Sequence, residues 1–303
     1  MTLDVVRAIP NGGWDERVVI VRCAPTLDGF IVVTRRHVVL IDTLVSPETA
    51  GAMLEIARPW LRDGRAPLVV VTHADWDHCY GNQLFAGPDA RLPAPLIATR
   101  DCGARFASGE VAAKLAELQA REPGRFDAVR LVAPTLLFDE RLAIDGGDLT
   151  LECFRVPGHR ADQLAIFIPE IATLLPGDAA EAPFPFVESA ATLPQMRASL
   201  RRLADLGART VLYSHAPETS GPGLLAANIG YFDRLEARCR AALASGVRGD
   251  TAATAATPLD ALVGFPLAEA VPPGTDLATL PEMYRAGHRD HAAMMLAWLE
   301  GGN

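Results

Sequence analysis

The chain has 303 residues, of which 50% are hydrophobic and 21% are charged, and its formal net charge is −9. This length is ample for a hydrophobic core and allows one large domain or two small ones. Because the chain is acidic and contains no run of Lys and Arg, its composition argues against nucleic acid or an anionic membrane as a partner.

The amino terminus and the cysteines indicate the compartment. No basic region followed by an apolar core opens the chain, and no apolar run approaches the length of a membrane span. The five cysteines are an odd number without paired spacing, which is typical of proteins that keep their thiols reduced. We therefore predict a cytoplasmic protein without a membrane segment.

In chain order, the first 45 residues show the β-branched, apolar pattern of strands, and a helix is predicted to begin after Ser46. A buried strand follows at 69–71. The polar helix predicted at 110–122 carries no ligand candidate, and we interpret it as part of a surface insertion beside the mouth of an active site. Further short strands are predicted at 136–138, 141–144, 149–156, 163–168, 173–175 and 211–213.

The rest of the chain is predicted to be mainly helical. Helices are expected at 193–206, 224–244, 258–263 and 284–299, with an Ala/Thr-rich linker or frayed helix at 251–257. His288 and His291 share one face of the last helix. We favour an exposed polar face for these two histidines; the alternative is that they line the active site or bind metal.

Four potential metal ligands fall within six residues directly after the strand at 69–71: His73, Asp75, Asp77 and His78. Two carboxylates between two imidazoles would repel each other and lose solvation on burial unless a cation neutralised them. A solvated acidic turn with incidental histidines is the alternative, but it does not explain why two of only seven histidines lie here. The cluster therefore predicts a metal site.

The segment at 73–78, H-A-D-W-D-H, resembles the H-x-H-x-D-H signature of the metallo-β-lactamase-fold hydrolases, with aspartate in place of the second histidine. Motifs similar to the later ones of that family follow in the same order. They are His159 in V-P-G-H, Asp178 in L-L-P-G-D and His215 in V-L-Y-S-H, and Asp42 ends a strand upstream as in the family.

The resemblance extends from about residue 18 to about residue 235. It implies an α/β fold, the four-layer αβ/βα sandwich of the metallo-β-lactamase type. On this basis we predict a metallo-β-lactamase-like domain at 1–245 and a C-terminal helical extension at 246–303 that packs on the same domain.

The resemblance also implies a binuclear centre with two divalent metal ions. Carried over residue by residue, the family pattern assigns the first ion to His73, Asp75 and His159. The second ion is assigned to Asp77, His78 and His215, and Asp178 bridges the two. Asp77 and Asp178 are the predicted catalytic residues. Asp178 is the bridging ligand, and Asp77 could also accept a proton from the attacking water.

Asp75 is the departure from the family pattern. A carboxylate in place of a neutral imidazole adds one negative charge, which should weaken the Lewis acidity of the ion that it binds. It also shifts the preference toward harder ions, so iron and manganese are the alternatives, whereas zinc stays the predicted ion because it accepts a mixed set of nitrogen and oxygen ligands. Cys79 follows the cluster directly, and we expect its thiol to point away from the ions.

These ligands predict a metal-dependent hydrolase that acts on a small-molecule acyl bond, in an ester, thioester, lactone or amide. One alternative is a diiron redox enzyme related to the flavodiiron oxygen/NO reductases, and another is a non-catalytic metal-bound sensor or scaffold. Trp76, Phe184 and Phe186 either wall an apolar substrate pocket or belong to the core. The sequence leaves open the substrate, the metal, the filling of both sites and the oligomeric state.

Overall fold

The computed structural model describes residues 4–216, 221–248 and 258–301. The predicted linker at 251–257 therefore lies outside the described residues. The chain divides into two compact units. The first comprises Met1–Arg155, Asp162–Gly177 and Ala208–Gly221, and the second comprises Val156–Ala161, Asp178–Gly207 and Pro222–Asn303.

Both β-sheets belong to the first unit. The larger sheet has seven strands in sequence order, of which the first four are antiparallel and the last three add in parallel. Its strands are β1 (Val5–Ala8), β2 (Val18–Ala24), β3 (Leu27–Val33), β4 (His37–Ile41), β5 (Ala66–Val70), β6 (Leu96–Thr99) and β7 (Leu136–Phe138).

The smaller sheet has five strands in the order β12-β11-β10-β9-β8, and only β11 and β12 are parallel. Its strands are β8 (Arg141–Asp145), β9 (Thr150–Arg155), β10 (Leu164–Ile168), β11 (Thr173–Leu175) and β12 (Thr210–Val211). Short 3-10 turns occupy Asn82–Leu84, Pro169–Ile171 and Gly177–Ala179.

The alternating side chains of the larger sheet enter two different cores. Val70 packs in a cluster with Leu151 and Ile166 of the smaller sheet, whereas its neighbours Val69 and Val71 pack in a second cluster with the helices. Successive side chains of a strand point to opposite faces, so this division places the smaller sheet on one face and helices on the other. The run of apolar residues in β5 therefore reflects a strand that is buried on both faces.

In the described part of the first unit, α1 (Pro47–Leu61), α2 (Trp76–Cys79) and α3 (Arg100–Ser108) come after β4, β5 and β6 in turn, and α4 (Glu110–Arg121) comes directly after α3. Ser46 caps α1 in a capping box with Thr49. Leu115 and Leu118 of α4 are buried in the core beneath the larger sheet. The expectation that 110–122 belongs to a surface insertion is therefore wrong, because the apolar side chains of α4 pack in the core.

The second unit is helical in its described part: α5 (Leu193–Asp205), α6 (Gly223–Ala244), α7 (Leu259–Leu262), α8 (Leu267–Ala270) and α9 (Glu282–Gly301). Helix α9 packs on α6 and α5. The domain boundary predicted at 245 stays a prediction. In the described ranges, none of the helices is both long enough and apolar enough to cross a membrane.

The exposed face predicted for His288 and His291 is wrong, because both side chains are buried. The Tyr231 hydroxyl lies 3.0 Å from Nδ1 of His288 and 2.9 Å from Nδ1 of His291. Nε2 of His288 lies 2.7 Å from the carbonyl of Phe265, and Nε2 of His291 accepts the N–H of Val187 at 3.2 Å. Each ring nitrogen therefore has a partner, which makes burial tolerable.

Candidate metal centre

The predicted ligands of the first unit lie where strands of both sheets end. β4 and β5 are parallel neighbours, with Ile41 opposite Val70, so the segments after them meet at the same edge of the sheet. Asp42 directly follows β4, and the cluster at 73–78 follows β5 and runs into α2. His215 comes four residues after the end of β12.

Asp77, His78 and His215 form a compact group of donor atoms, all within 4.8 Å of one another. Nε2 of His215 lies 3.4 Å from Oδ2 of Asp77, and Nε2 of His78 lies 3.9 Å from the same oxygen. Two atoms bound to one tetrahedral zinc ion are roughly 3.4 Å apart. The three residues assigned to the second ion are therefore brought together at separations that suit a shared metal.

His73 and Asp75 form a second pair in the first unit, with 3.8 Å between Nε2 of His73 and Oδ2 of Asp75. Within the second unit, Nε2 of His159 lies 3.7 Å from Oδ2 of Asp178. Both separations are close to those expected between ligands of one ion. Sequence reasoning missed Glu181, a buried carboxylate with an oxygen within 4.8 Å of Asp178.

All four histidines have Nδ1 beside an oxygen, which decides which nitrogen can face a metal. Nδ1 of His78 lies 2.8 Å from Oδ2 of Asp42, and Nδ1 of His215 lies 3.1 Å from the carbonyl of Thr26. Nδ1 of His159 lies 3.2 Å from the carbonyl of Phe186 in the second unit. A carbonyl or carboxylate can only accept, so these rings carry their proton on Nδ1 and present the Nε2 lone pair as a ligand.

Asp42 orients His78 and Thr72 through hydrogen bonds. Its carboxylate accepts hydrogen bonds from the Thr72 N–H at 2.7 Å and from the Thr72 hydroxyl at 2.9 and 3.0 Å. The Thr72 oxygen in turn lies 3.0 Å from Nδ1 of His73. Asp42 is buried and has φ of 64°, a left-handed conformation that aspartate tolerates better than most residues. Thr72 and His78 are thus held by one carboxylate.

Arg105 of α3 is a further residue that the sequence did not point to. Its Nη2 lies 2.9 Å from Oδ1 of Asp75, and its Nη1 lies 2.9 Å from Oδ1 of Asp162. Burial lowers the pKa of Arg105, but the adjacent carboxylates outweigh that effect and raise it. Arg105 and Asp75 are 30 residues apart in sequence, and they come into contact because α3 folds beside the cluster at 73–78.

The remaining candidates belong to the core or its margin. Cys79 is buried in the apolar cluster, and burial raises the pKa of its thiol; that the thiol points away from the ions stays a prediction. Phe184 is buried and stacks on Tyr231 at 4.4 Å. Phe186 stacks on Tyr284 at 5.2 Å, and Trp76 contacts Phe126 edge-on.

A cavity of about 190 Å³ lies in the first unit beside His215. Apolar groups make up most of its wall, and the paired Arg22 and Asp28 are its charged members. Its lining also includes Cys23, Thr26 and Leu27.

The sequence profile of the metallo-beta-lactamase superfamily matches residues 28–215, which is more than half of the chain. The chain belongs to the metallo-beta-lactamase superfamily. The profile spans all seven predicted ligand positions, from His73 to His215. No curated protein matches the chain in sequence.

Solved structures of the superfamily share this fold. A metallo-beta-lactamase from Pontibacter korlensis has a TM-score of 0.56 at 20% identity, with 76% of this chain and 99% of that one covered. A metallo-beta-lactamase family protein from Thermus thermophilus gives 0.60 at 18%, with 98% and 93% covered. The sec-alkylsulfatase Pisa1 from Pseudomonas sp. gives 0.61 at 18%, with 94% of this chain but only 49% of that one covered.

At such identities the comparisons show the fold alone. The predicted α/β fold of the metallo-β-lactamase type is confirmed, as is the resemblance on which it depended. The superfamily fold is of the metal-binding hydrolase type, and the His/Asp groups could hold metal ions. The individual ligand and catalytic roles stay predictions.

Proposed function

We propose that this chain is a metal-dependent hydrolase that cleaves an acyl bond in a small molecule, in an ester, thioester, lactone or amide. The observation that carries the proposal is the grouping of Asp77, His78 and His215 at ligand-to-ligand separations, with Nδ1 of both rings held by oxygen acceptors. Ring orientation of this kind is typical of histidines that bind metal through Nε2.

In this proposal two divalent ions, zinc by preference, are held as the family pattern assigns them. His73, Asp75 and His159 would hold one ion, Asp77, His78 and His215 would hold the other, and the Asp178 carboxylate would serve both. Metal ions in such a site lower the pKa of water and polarise the bond to be cleaved. Asp77 would additionally accept the proton of the attacking water, and the Asp42 carboxylate would keep His78 in the required tautomer.

The cavity beside His215 supports a small substrate. Its volume of about 190 Å³ is below the 300–1,000 Å³ of a drug-sized ligand site, so it would take an acyl group or a leaving group rather than a polymer. The net charge of −9 likewise supports a small molecule over a nucleic acid. The cytoplasmic location remains a prediction.

Elemental analysis of chelator-free protein, followed by a panel of aryl esters, thioesters, lactones, amides and a secondary alkyl sulfate, tests the proposal. We expect two zinc ions per chain and hydrolysis within one acyl class. Two iron ions without hydrolysis would support the redox alternative. Turnover of the sulfate alone would overturn the acyl assignment, and protein that binds no metal from a replete medium would overturn the metal centre.

Asp178→Ala tests the bridging role separately. Because a bridging carboxylate serves both ions, we expect this variant to lose both metal equivalents together with activity. The matched control is Asp139→Ala, which removes an exposed carboxylate paired with Arg100 and should retain metal and turnover. Full metal content in the Asp178 variant would contradict the bridging assignment.

A further inference from the structure

The side chain of Asp75 has two different surroundings at its two oxygens. Oδ1 lies 2.9 Å from Nη2 of Arg105, whereas Oδ2 lies 3.8 Å from Nε2 of His73. Asp75 is also the N-cap residue of α2, a position where aspartate ordinarily accepts a backbone N–H, yet its carboxylate makes no cap hydrogen bond. The carboxylate is therefore directed toward Arg105 and His73 and away from its own helix.

Burial and a second ion pair, with Asp162, hold the Arg105 side chain in place. Its side chain is only 13% exposed, and its second nitrogen, Nη1, binds Oδ1 of Asp162, which is fully buried. Oδ2 of Asp162 accepts the N–H of Ala74 at 2.8 Å. The guanidinium and Asp162 thus hold the backbone just before Asp75 and the side chain of Asp75 at the same time.

Glu110, the third acidic residue beside Arg105, differs from the other two because its side chain is exposed. Glu110 lies 2.6 Å from Nη2, but its side chain is 52% exposed, so solvent screens its charge. The guanidinium is shared by Asp162, which is fully buried, and Asp75, which is 15% exposed. The planar guanidinium of arginine can bind two carboxylates in fixed directions, whereas the ammonium group of lysine cannot.

We propose that Arg105 is a positioning residue that holds Oδ1 of Asp75, so that Asp75 offers the single oxygen Oδ2 to the ion that His73 binds. The Asp75–Arg105 pair then takes the place of the second histidine of the superfamily motif, and the guanidinium offsets part of the negative charge that the aspartate adds. This inference rests on the proposed metal centre.

A double-mutant cycle tests the proposal, with metal affinity as its readout. Zinc is titrated against a chromophoric chelator for four proteins: the wild type, Arg105→Met, Asp75→His and the double variant. Loss of a residue that orients a ligand typically costs about 10- to 100-fold in metal affinity, and we expect Arg105→Met to weaken one zinc site by that factor. In the Asp75→His background the same change should alter affinity less than about twofold, since a histidine does not need the arginine.

Cobalt-substituted protein gives a second readout. The visible absorption of cobalt reports ligand geometry, and we expect Arg105→Met to change the spectrum of one site in the Asp75 background only. The matched control is Arg100→Met, which makes the same substitution on the same helix at an exposed pair with Asp139. This control should leave affinity and spectrum unchanged.

Equal losses in both backgrounds would show that Arg105 supports the fold through Asp162 and would overturn the proposal. Unchanged or increased affinity in Arg105→Met would overturn it too. If Arg105→Met fails to fold, Arg105→Lys retains the charge beside Asp162 without the fork, and the same cycle should give about tenfold weaker binding in the Asp75 background only. Wild-type protein that binds no zinc would overturn the metal centre itself, which distinguishes the two failures.

Discussion

Oδ2 of Asp42 lies 2.8 Å from Nδ1 of His78. The same carboxylate accepts hydrogen bonds from the backbone and hydroxyl of Thr72, the residue before His73. One buried acid at the end of β4 therefore positions both histidines of the H-A-D-W-D-H segment, although it lies 36 residues before His78 in sequence. A carboxylate behind a metal-binding histidine fixes its tautomer and raises its basicity.

Asp42→Asn should weaken metal binding at His78 by about 10- to 100-fold while leaving the fold intact. Asparagine has the same shape but only one acceptor oxygen, so its NH₂ must face either the Thr72 N–H or the His78 N–H. Chelator competition measures the change. Asp148→Asn is the control, because that carboxylate contacts Arg17 and the Arg35 N–H instead; equal effects of both substitutions would contradict the role of Asp42.

Gly158→Ala should destabilise the protein by about 3 kcal/mol or more. Gly158 precedes His159 and has φ of +145°, and an added Cβ would lie 2.3 Å from Cα of Met196 in α5. Urea denaturation of chelator-treated protein measures the loss. Gly246→Ala is the control: its φ is +98° with nothing within 4 Å of the new Cβ, so it costs only the backbone strain, about 1 kcal/mol. Equal losses would rule out the overlap.

His291 should make stability fall in acid. Burial, reinforced by the neighbouring His288, lowers the pKa of His291 to about 3 in the folded state. The unfolded chain therefore binds its proton first, near pH 6.5, so stability is complete above that pH and is lost as the pH falls toward 3.

The size of this effect is up to about 1.4 kcal/mol per pH unit between those limits. Urea denaturation of metal-free wild type and of His291→Gln at a series of pH values measures it. The variant should be less stable at pH 7 and should show the smaller pH dependence, so that the two curves converge in acid. Parallel curves would contradict the prediction.

Acid should also release the metal before it unfolds the chain. Histidine ligands bind as neutral imidazoles, so protons compete with the metal. Dialysis at decreasing pH, with elemental analysis and circular dichroism on each sample, measures release and unfolding separately. Metal retained by folded protein down to about pH 4, well below the reference pKa of histidine, would argue against a histidine-rich site.

Some of the structure could not be read from the sequence because the local signals were weak or ambiguous. Helix α3 was missed because its sequence is polar and contains Gly103. A Cβ added at this position would lie 2.8 Å from Leu137, so the close packing of Leu137 on α3 favours glycine there. The histidines of α9 were assigned to the wrong face because equal spacing fits either face, and the partners that make their burial tolerable, Tyr231 and Val187, lie far away in sequence.

The sequence by itself determined the superfamily, the α/β fold class and the candidate ligands, because these depend on short patterns: apolar β-branched runs, and His and Asp at fixed spacing after them. Tertiary structure alone decided what holds those ligands. Arg105 reaches Asp75 across 30 residues and Asp162 across 57, and Asp42 reaches His78 across 36. Such contacts have no local pattern, since they arise only when strand ends and helices from separate segments meet at one edge of a sheet.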